Sequence, residues 1–186
     1  SGAASLLAFL ALEENQDESL FSVDLMGTPG EEADGGKIQL LDQGAFSDFE
    51  FAAMVHMDSI NSICFKTLAC NDRYFTFTGR SAHASGEPEK GINALNAARL
   101  YMDAMDMWRQ HLPKGSQFHG IVENGGGSPN VVPDKAILDY YFRAEDMADL
   151  KKLNKVAENC ATAAAMAMNA QVEVEQRYPT YADIYV

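Results

Sequence analysis

The 186-residue chain has few cysteines and no long apolar run. Its three cysteines, Cys64, Cys70 and Cys160, form neither a CxxC pair nor a zinc-ribbon spacing, which predicts reduced thiols and a cytoplasmic protein. No segment reaches the roughly 18 apolar residues that a membrane span needs, and no basic leader precedes Glu13-Glu14. We therefore expect a soluble protein with no membrane partner.

Positive charge is also scarce. The chain has 14 Lys and Arg against 27 Asp and Glu, a formal net charge of −13. Binding to phosphates needs clustered cations, so this balance argues against a nucleic-acid partner and favours a small molecule. The hydrophobic content of 47% suits one large globular domain or two small ones.

The first part of the chain shows an α/β pattern. Apolar runs separated by glycines predict the order helix, strand, helix, strand, with too few elements to close a domain. We expect the opening helix to pack in a core. The predicted elements are a helix at 1–12, a strand at 21–26, a helix at 37–42 and a strand at 51–56.

The pattern changes near residue 70, where we place a domain boundary between 1–69 and 70–186. Alternating and helical periods then predict the order βαββαβ, a ferredoxin-like unit with both helices on one face of the sheet. The predicted strands are 74–78, 118–122, 136–143 and 171–176, and the predicted helices lie within 91–111 and 150–164.

Two adjacent carboxylates, Glu31 and Glu32, follow the first predicted strand, and His56 ends the second. One carboxylate can bind a cation while the other takes a proton from water, and an imidazole is a suitable further ligand. The Pro29-Gly30 step supplies the bend that would aim both carboxylates at one site. The alternatives are an ordinary acidic surface pair and a buried core histidine.

His83 lies in a loop, GRSAHAS at 79–85, between a strand and a long helix. There it can donate a hydrogen bond to a developing oxyanion, or simply fix its own turn through a backbone carbonyl. Asn130 lies in the loop GGGSPNVVP, which lacks the pattern of a phosphate loop. Arg143, at the end of the next strand, suits a carboxylate, or a salt bridge with Glu145 or Asp146.

These motifs occur in one order: GTPGEE, His56, GRSAHAS, GINAL, His119-Gly120-Ile121, GGGSPNVVP and YFRA. The series resembles the di-metal amidohydrolases of the aminoacylase and carboxypeptidase G superfamily. Within that superfamily it resembles in particular the B-subunit type of p-aminobenzoyl-glutamate hydrolase. The resemblance covers nearly the whole chain. It implies part of a metal-binding catalytic domain at 1–69 and a ferredoxin-like lid and dimerisation domain at 70–186.

The resemblance also implies roles for single residues. Glu31 corresponds to the general base, and Glu32 and His56 to metal ligands. His83 corresponds to the imidazole that reaches across a homodimer to polarise the scissile carbonyl of the partner's substrate. Asn130 and Arg143 correspond to the pair that binds the substrate carboxylate, with His119 lining the same pocket.

The chain departs from the family in its metal ligands. A Cys-x-His pair before the opening helix and a further His after the lid domain are absent here. Glu32 and His56 are fewer than the three protein ligands usual for catalytic zinc. We therefore expect a fragment of an enzyme whose complete form holds two divalent ions, zinc or manganese, and which alone lacks a complete metal site.

The sequence thus predicts a metal-dependent amidohydrolase that cleaves the amide bond of N-acyl or N-aroyl amino acids or small dipeptides. Two alternatives remain open. The chain could be a non-catalytic dimerising module, or a carrier that binds carboxylates through Asn130 and Arg143 without hydrolysing them.

Overall fold

The computed structural model describes residues 2–17, 20–31, 35–63 and 65–185. The chain divides into two compact units, Ser1–Ile63 and Cys64–Val186. Within the described ranges, no helix is both long enough and apolar enough to cross a lipid bilayer.

The described part of the first unit contains two helices, α1 (Gly2–Asn15) and α2 (Gly36–Asp42). Both were predicted, but the expectation that α1 packs in a core is wrong for this chain. None of its residues is buried, and its leucines are exposed, Leu7 by 66%. An apolar helix gains stability mainly by burying a face against other elements, and the described residues of this unit bury no face of α1.

The two strands expected in this unit, at 21–26 and 51–56, are absent from its described residues. Phe51 is 83% exposed and Leu25 is 50% exposed, so neither segment is buried as a core strand would be. A buried strand needs hydrogen-bonded neighbours on its edges, and the described residues of this unit supply none. The apolar runs therefore remain without regular structure.

The second unit confirms the predicted order βαββαβ and hence a mixed α/β fold. A short strand precedes this order and another follows it. The elements are β1 (Lys66–Thr67), β2 (Ala69–Thr78), α3 (Ala94–Trp108), β3 (Gln117–Asn124), β4 (Lys135–Ala144), α4 (Met147–Ala167), β5 (Gln171–Glu175) and β6 (Ile184–Tyr185).

The central sheet has the order β3-β4-β2-β5, with every neighbouring pair antiparallel. This is the ferredoxin-like arrangement. In β4 the residues alternate between buried and more accessible positions, so one face of the sheet packs on α3 and α4. The other face carries no described helix of this unit and is called the helix-free face.

The core lies between the sheet and the two long helices. Tyr101 of α3 is completely buried, with its ring 4.5 Å from that of Phe75 and 5.5 Å from that of Tyr140. Burying a large apolar side chain contributes about 1.5–3 kcal/mol. Side-chain caps set the beginnings of the helices: Asn93 accepts from the amide of Asn96 before α3, and Asp146 accepts from that of Asp149 before α4.

The segment after β5 returns along β2 and is fixed there by Asp72. This carboxylate is only 1% exposed, and it accepts hydrogen bonds from the amides of Arg177 (2.8 Å) and Tyr178 (3.0 Å). Cys70 and Tyr181 then exchange two backbone hydrogen bonds of 2.9 Å, and β6 pairs with β1. The passages 66–70 and 181–185 are therefore neighbours in the fold.

We expect Asp72→Ala to lower the free energy of unfolding of this unit by about 2–4 kcal/mol, because two part-buried amides lose a charged acceptor. Urea denaturation of the chain measures the loss. The control is Asp103→Ala, an exposed carboxylate on α3, which should change stability by less than about 0.5 kcal/mol. Equal effects of the two substitutions would contradict this account of Asp72.

Candidate functional site

The loop that carries His83 is bound to the loop that carries Asn130. The amide of Ala84 donates to the carbonyl of Asn130, and the amide of Val132 donates to the carbonyl of Ala82, each at 2.9 Å. His83 and Val131 therefore face each other as an antiparallel bridge. The structure thus brings together two of the residues that the sequence singled out.

The base of the His83 loop is closed tightly. Arg80 and Ile92 exchange two backbone hydrogen bonds of 2.9 Å, and the side chain of Arg80 donates from Nε to the carbonyl of Lys90 at 2.6 Å. A Cβ on Gly79 would lie 2.0 Å from the carbonyl oxygen of Ile92. Only glycine permits this approach of the two backbones.

His83 is exposed, and its ring nitrogen Nδ1 points back at its own turn. The amide of Gly86 lies 3.0 Å from Nδ1, and the amide of Ser85 lies 3.3 Å from it. The imidazole thus fixes its turn, as one alternative anticipated, but through backbone N–H groups rather than a carbonyl. The other ring nitrogen, Nε2, is left for an external partner.

Arg143 lies at the opposite end of the sheet from His83 and Asn130. It pairs with Cys70 near the start of β2, whereas the His83 loop follows Thr78 at the other end of the same strand. Cys70 and Thr78 are eight positions apart along the strand, which is about 25 Å. The structure therefore does not bring Asn130 and Arg143 together within one chain.

The guanidinium of Arg143 is exposed on the helix-free face of the sheet. The alternative of a salt bridge with Glu145 or Asp146 is not observed, because Glu145 pairs with Lys66 and Asp146 caps α4. Among the described residues, Arg143 has no ion pair within 4.0 Å. It is thus free to bind an external anion.

His119 lies on the same helix-free face, one pair of positions away from Arg143. It pairs with Tyr141 across β3 and β4, and the two rings stack at 6.4 Å with an angle of 17°. Burial raises the pKa of the Cys70 thiol opposite Arg143, and the positive charge of Arg143 acts in the opposite direction. This end of the sheet therefore combines a guanidinium, an imidazole and a largely neutral thiol.

In the first unit, Glu31 is bound by Lys37. Its carboxylate accepts from the amide of Lys37 at 2.9 Å and forms an ion pair with Nζ at 3.0 Å. The role of Lys37 was not predicted from the sequence. Its contact with Glu31 depends on Gly35, which precedes α2 in a left-handed backbone conformation. The role of Arg80 was not predicted either, because its hydrogen bond to the carbonyl of Lys90 joins groups that only folding brings together.

His56 is exposed, and its Nδ1 lies 2.9 Å from the carbonyl oxygen of Met57. A carbonyl can only accept, so Nδ1 carries the proton and Nε2 keeps the lone pair with which an imidazole binds metal. Glu32 lies outside the described residues. In the described part of the chain, no three His, Cys, Asp or Glu residues are grouped so that they could hold a metal.

The described residues therefore do not fit a complete metal centre. His56 offers one nitrogen of suitable chemistry, whereas the carboxylate of Glu31 is already bound by an ammonium group. A catalytic cation needs about three protein ligands.

Residues 73–169 match the family described as the peptidase dimerisation domain of the M20 peptidases. The chain belongs to this family. Its peptidases are generally metal-dependent. The match covers most of the ferredoxin-like unit, including both long helices and the loops of His83 and Asn130.

Curated relatives extend the likeness beyond this domain. The chain is 37% identical to the Xaa-Arg dipeptidase of Mus musculus, over 98% of this chain and 42% of that protein. It is 30% identical to the B chain of the p-aminobenzoyl-glutamate hydrolase of Escherichia coli, over 92% of this chain and 37% of that protein. The chain thus spans about two fifths of the length of these relatives.

A solved structure, the aminobenzoyl-glutamate utilization protein of Klebsiella pneumoniae, matches with a TM-score of 0.56 and 27% identity. The match covers 62% of this chain and 29% of that one.

We expect Gly79→Ala to destabilise the second unit by about 1–3 kcal/mol, because the new methyl group would overlap the Ile92 carbonyl and open the base of the His83 loop. The matched control is Gly127→Ala, where a Cβ meets no atom within 4 Å. Thermal or urea denaturation compares the variants. A Gly79→Ala protein as stable as the control would show that the close approach has no structural role.

Proposed function

We propose that the parent protein is a metal-dependent amidohydrolase that cleaves an amide bond beside a free carboxylate. The substrates would be N-acyl or N-aroyl amino acids or small dipeptides. The observation that carries this proposal is the hydrogen bonding between the loops at 79–85 and 125–133. These loops present the exposed His83 next to Asn130, with Nδ1 bound to its own turn and Nε2 available. This is the arrangement expected of a group that donates a hydrogen bond to a reacting carbonyl.

The names of the relatives support the substrate class. A dipeptidase and a p-aminobenzoyl-glutamate hydrolase both act on an amide whose leaving amine belongs to an amino acid with a free carboxylate. The exposed, unpaired guanidinium of Arg143 is suited to that carboxylate, since its planar fork can bind both oxygens. His119, on the same sheet face, would line the pocket.

Glu31 would act as the general base, taking a proton from the attacking water and returning it to the leaving amine. His83 would donate from Nε2 to the developing oxyanion, a role in which the loss of one donor costs about 10²–10³ in rate. We also propose that the complete enzyme holds two divalent cations, zinc or manganese, with Glu32 and His56 among their ligands. The remaining ligands would come from residues outside this chain.

The distance along the sheet bears on how the binding groups are shared. His83 and Asn130 lie about 25 Å from Arg143, which is too far for all three to contact one small substrate within a single chain. We propose a homodimer in which the far end of each sheet, with His83 and Asn130, serves the partner's substrate. Arg143 would then bind the substrate of its own subunit.

In domain terms, we propose that 1–69 is part of the metal-binding catalytic domain and that 70–186 is the lid and dimerisation domain. The cytoplasmic location, which rests on the cysteine content, stays a proposal as well.

In the full-length enzyme we expect Glu31→Gln to abolish turnover while the bound metal is retained, because an amide cannot take the proton. The measurements are hydrolysis of acylated amino acids and metal content. Glu50→Gln is the control, an exposed carboxylate in the same unit that should leave turnover unchanged. Near-normal activity of Glu31→Gln would refute the role of Glu31.

The alternative is a non-catalytic dimerising or carboxylate-binding module, in which the exposed guanidinium of Arg143 would bind a carboxylate without any hydrolysis. It predicts a full-length protein with no stoichiometric metal and no turnover. A carrier would in addition bind carboxylates in the presence of a chelator. Metal analysis combined with an activity assay separates these proposals.

The dimer would form on the β3 side of the second unit. There β3 is an edge strand, and its exposed Ile121 and Val122 lie beside an unpaired backbone edge. Helix α3 lies on this side, because Arg109, just after it, stacks 4.0 Å from the ring of Phe118 in β3. Its Met107 is 72% exposed, which is typical of an apolar surface that another chain covers.

We expect the chain to dimerise through this surface. Met107→Glu should raise the dissociation constant of the dimer by at least about tenfold, which is about 1.4 kcal/mol of binding free energy, because the dimer would bury a charge. Sedimentation equilibrium measures the constant. Met166→Glu is the matched control: Met166 is 74% exposed but belongs to α4, on the β5 side of the sheet. Equal effects of the two variants, or a chain that stays monomeric, would contradict this interface.

A further inference from the structure

We infer that the backbone amides of Ser85 and Gly86 fix His83 in the tautomer that carries its proton on Nε2, and that Gly86 is a positioning residue for this ring. The inference about the ring itself rests only on the described contacts. Its catalytic consequence rests on the proposed function, in which His83 donates to an oxyanion.

The turn after His83 directs its hydrogen-bond donors at one ring nitrogen. The Gly86 amide lies 3.0 Å from Nδ1, and the amide and hydroxyl of Ser85 each lie 3.3 Å from it. The amides of Gly86 and Glu87 also donate to the backbone carbonyl of His83 at 3.2 Å. The ring therefore caps its own turn, as a side-chain oxygen caps the first turn of a helix.

This geometry selects one tautomer. A neutral imidazole has one nitrogen that donates and one that accepts. A backbone amide can only donate, so a proton on Nδ1 would point one N–H group at another. The acceptor must therefore be Nδ1, and the proton lies on Nε2, the nitrogen that faces away from the turn.

His56 provides an internal contrast, because its Nδ1 faces the carbonyl of Met57 at 2.9 Å. A carbonyl accepts, so His56 should carry its proton on Nδ1 and leave Nε2 bare. His56 and His83 thus have opposite predicted tautomers, each set by the backbone group that Nδ1 meets.

Gly86 leaves just enough room for the ring. A Cβ built there would lie 3.3 Å from Nδ1 and 3.4 Å from Cγ of His83, so the imidazole would have to move by a few tenths of an ångström. The backbone at the base of the loop is fixed by the Arg80–Ile92 pair and by the Asn130 loop. The adjustment would therefore fall on the ring, while the N–H donor of residue 86 remains.

The test is nitrogen-15 NMR on the 186-residue chain with labelled histidine, at a pH where the rings are neutral. The signals of His83 are assigned by their loss in His83→Gln. We expect His83 to show a protonated Nε2 and an unprotonated Nδ1, and His56 to show the reverse. A proton on Nδ1 of His83, or the same tautomer mixture in both rings, would overturn the inference.

The positioning role is tested in the same spectra. Gly86→Ala should shift both ring-nitrogen signals of His83 and leave those of His119 in place. The matched control, Gly127→Ala, should leave all of them unchanged. Unchanged His83 signals in Gly86→Ala would remove the positioning role, and if that variant fails to fold, the spectrum of the unmodified chain still decides the tautomer.

The catalytic consequence is measured in the full-length enzyme. A Gln amide nitrogen reaches about the place of Nε2, and an Asn amide nitrogen about that of Nδ1. We expect His83→Asn to lower kcat/KM by about 10²–10³ and His83→Gln by clearly less. Equal losses alongside the expected NMR result would refute the donor role in the proposed function, while the tautomer inference would stand.

Discussion

The structure of the second unit depends on the pairing of β2 with β4. Ten residues of each strand pair in register, from Ala69 with Ala144 to Thr78 with Lys135. Because side chains alternate across a sheet, this one register decides which residues enter the core and which remain on the helix-free face. A slip by one residue would expose the aromatic core and bury Arg143.

The same pairing separates two kinds of chemistry. At one end of the two strands the backbone closes into clamped loops that hold an imidazole and an amide. At the other end the exposed guanidinium of Arg143 lies near the paired segments 66–70 and 181–185. Rigid strands keep these groups apart, so a site that needs both kinds of group requires two copies of the sheet. Dimerisation is then a condition for catalysis in the proposed enzyme.

The ferredoxin-like unit could be predicted from the sequence because its information is local. The alternation of apolar and polar residues in β4 has the period of a strand, and the spacing of apolar residues in α3 and α4 has the period of a helix. The first unit could be predicted only in part. Apolar runs such as 51–56 indicate a strand only when a neighbouring strand is present to pair with them, and sequence patterns do not report that neighbour.

The candidate site shows the same division. Residue types and their order were enough to select His83, Asn130 and Arg143. The contacts that govern these residues were not visible, because they depend on backbone groups brought together by folding. Examples are the Gly86 amide at Nδ1 of His83 and the carbonyl of Ile92 against Gly79. The distance between Asn130 and Arg143 likewise follows from strand length and direction, not from their spacing of thirteen residues in the chain.

The paired passages at 66–70 and 181–185 have a mechanical consequence. Two short antiparallel segments form a ribbon only two strands wide, beside a sheet of four strands. Since the His83 loop lies about 25 Å further along the strands, the sheet would act as a lever arm for any tilt at this ribbon. A tilt of about 10° at the ribbon would carry the imidazole through roughly 4 Å, more than the length of a hydrogen bond.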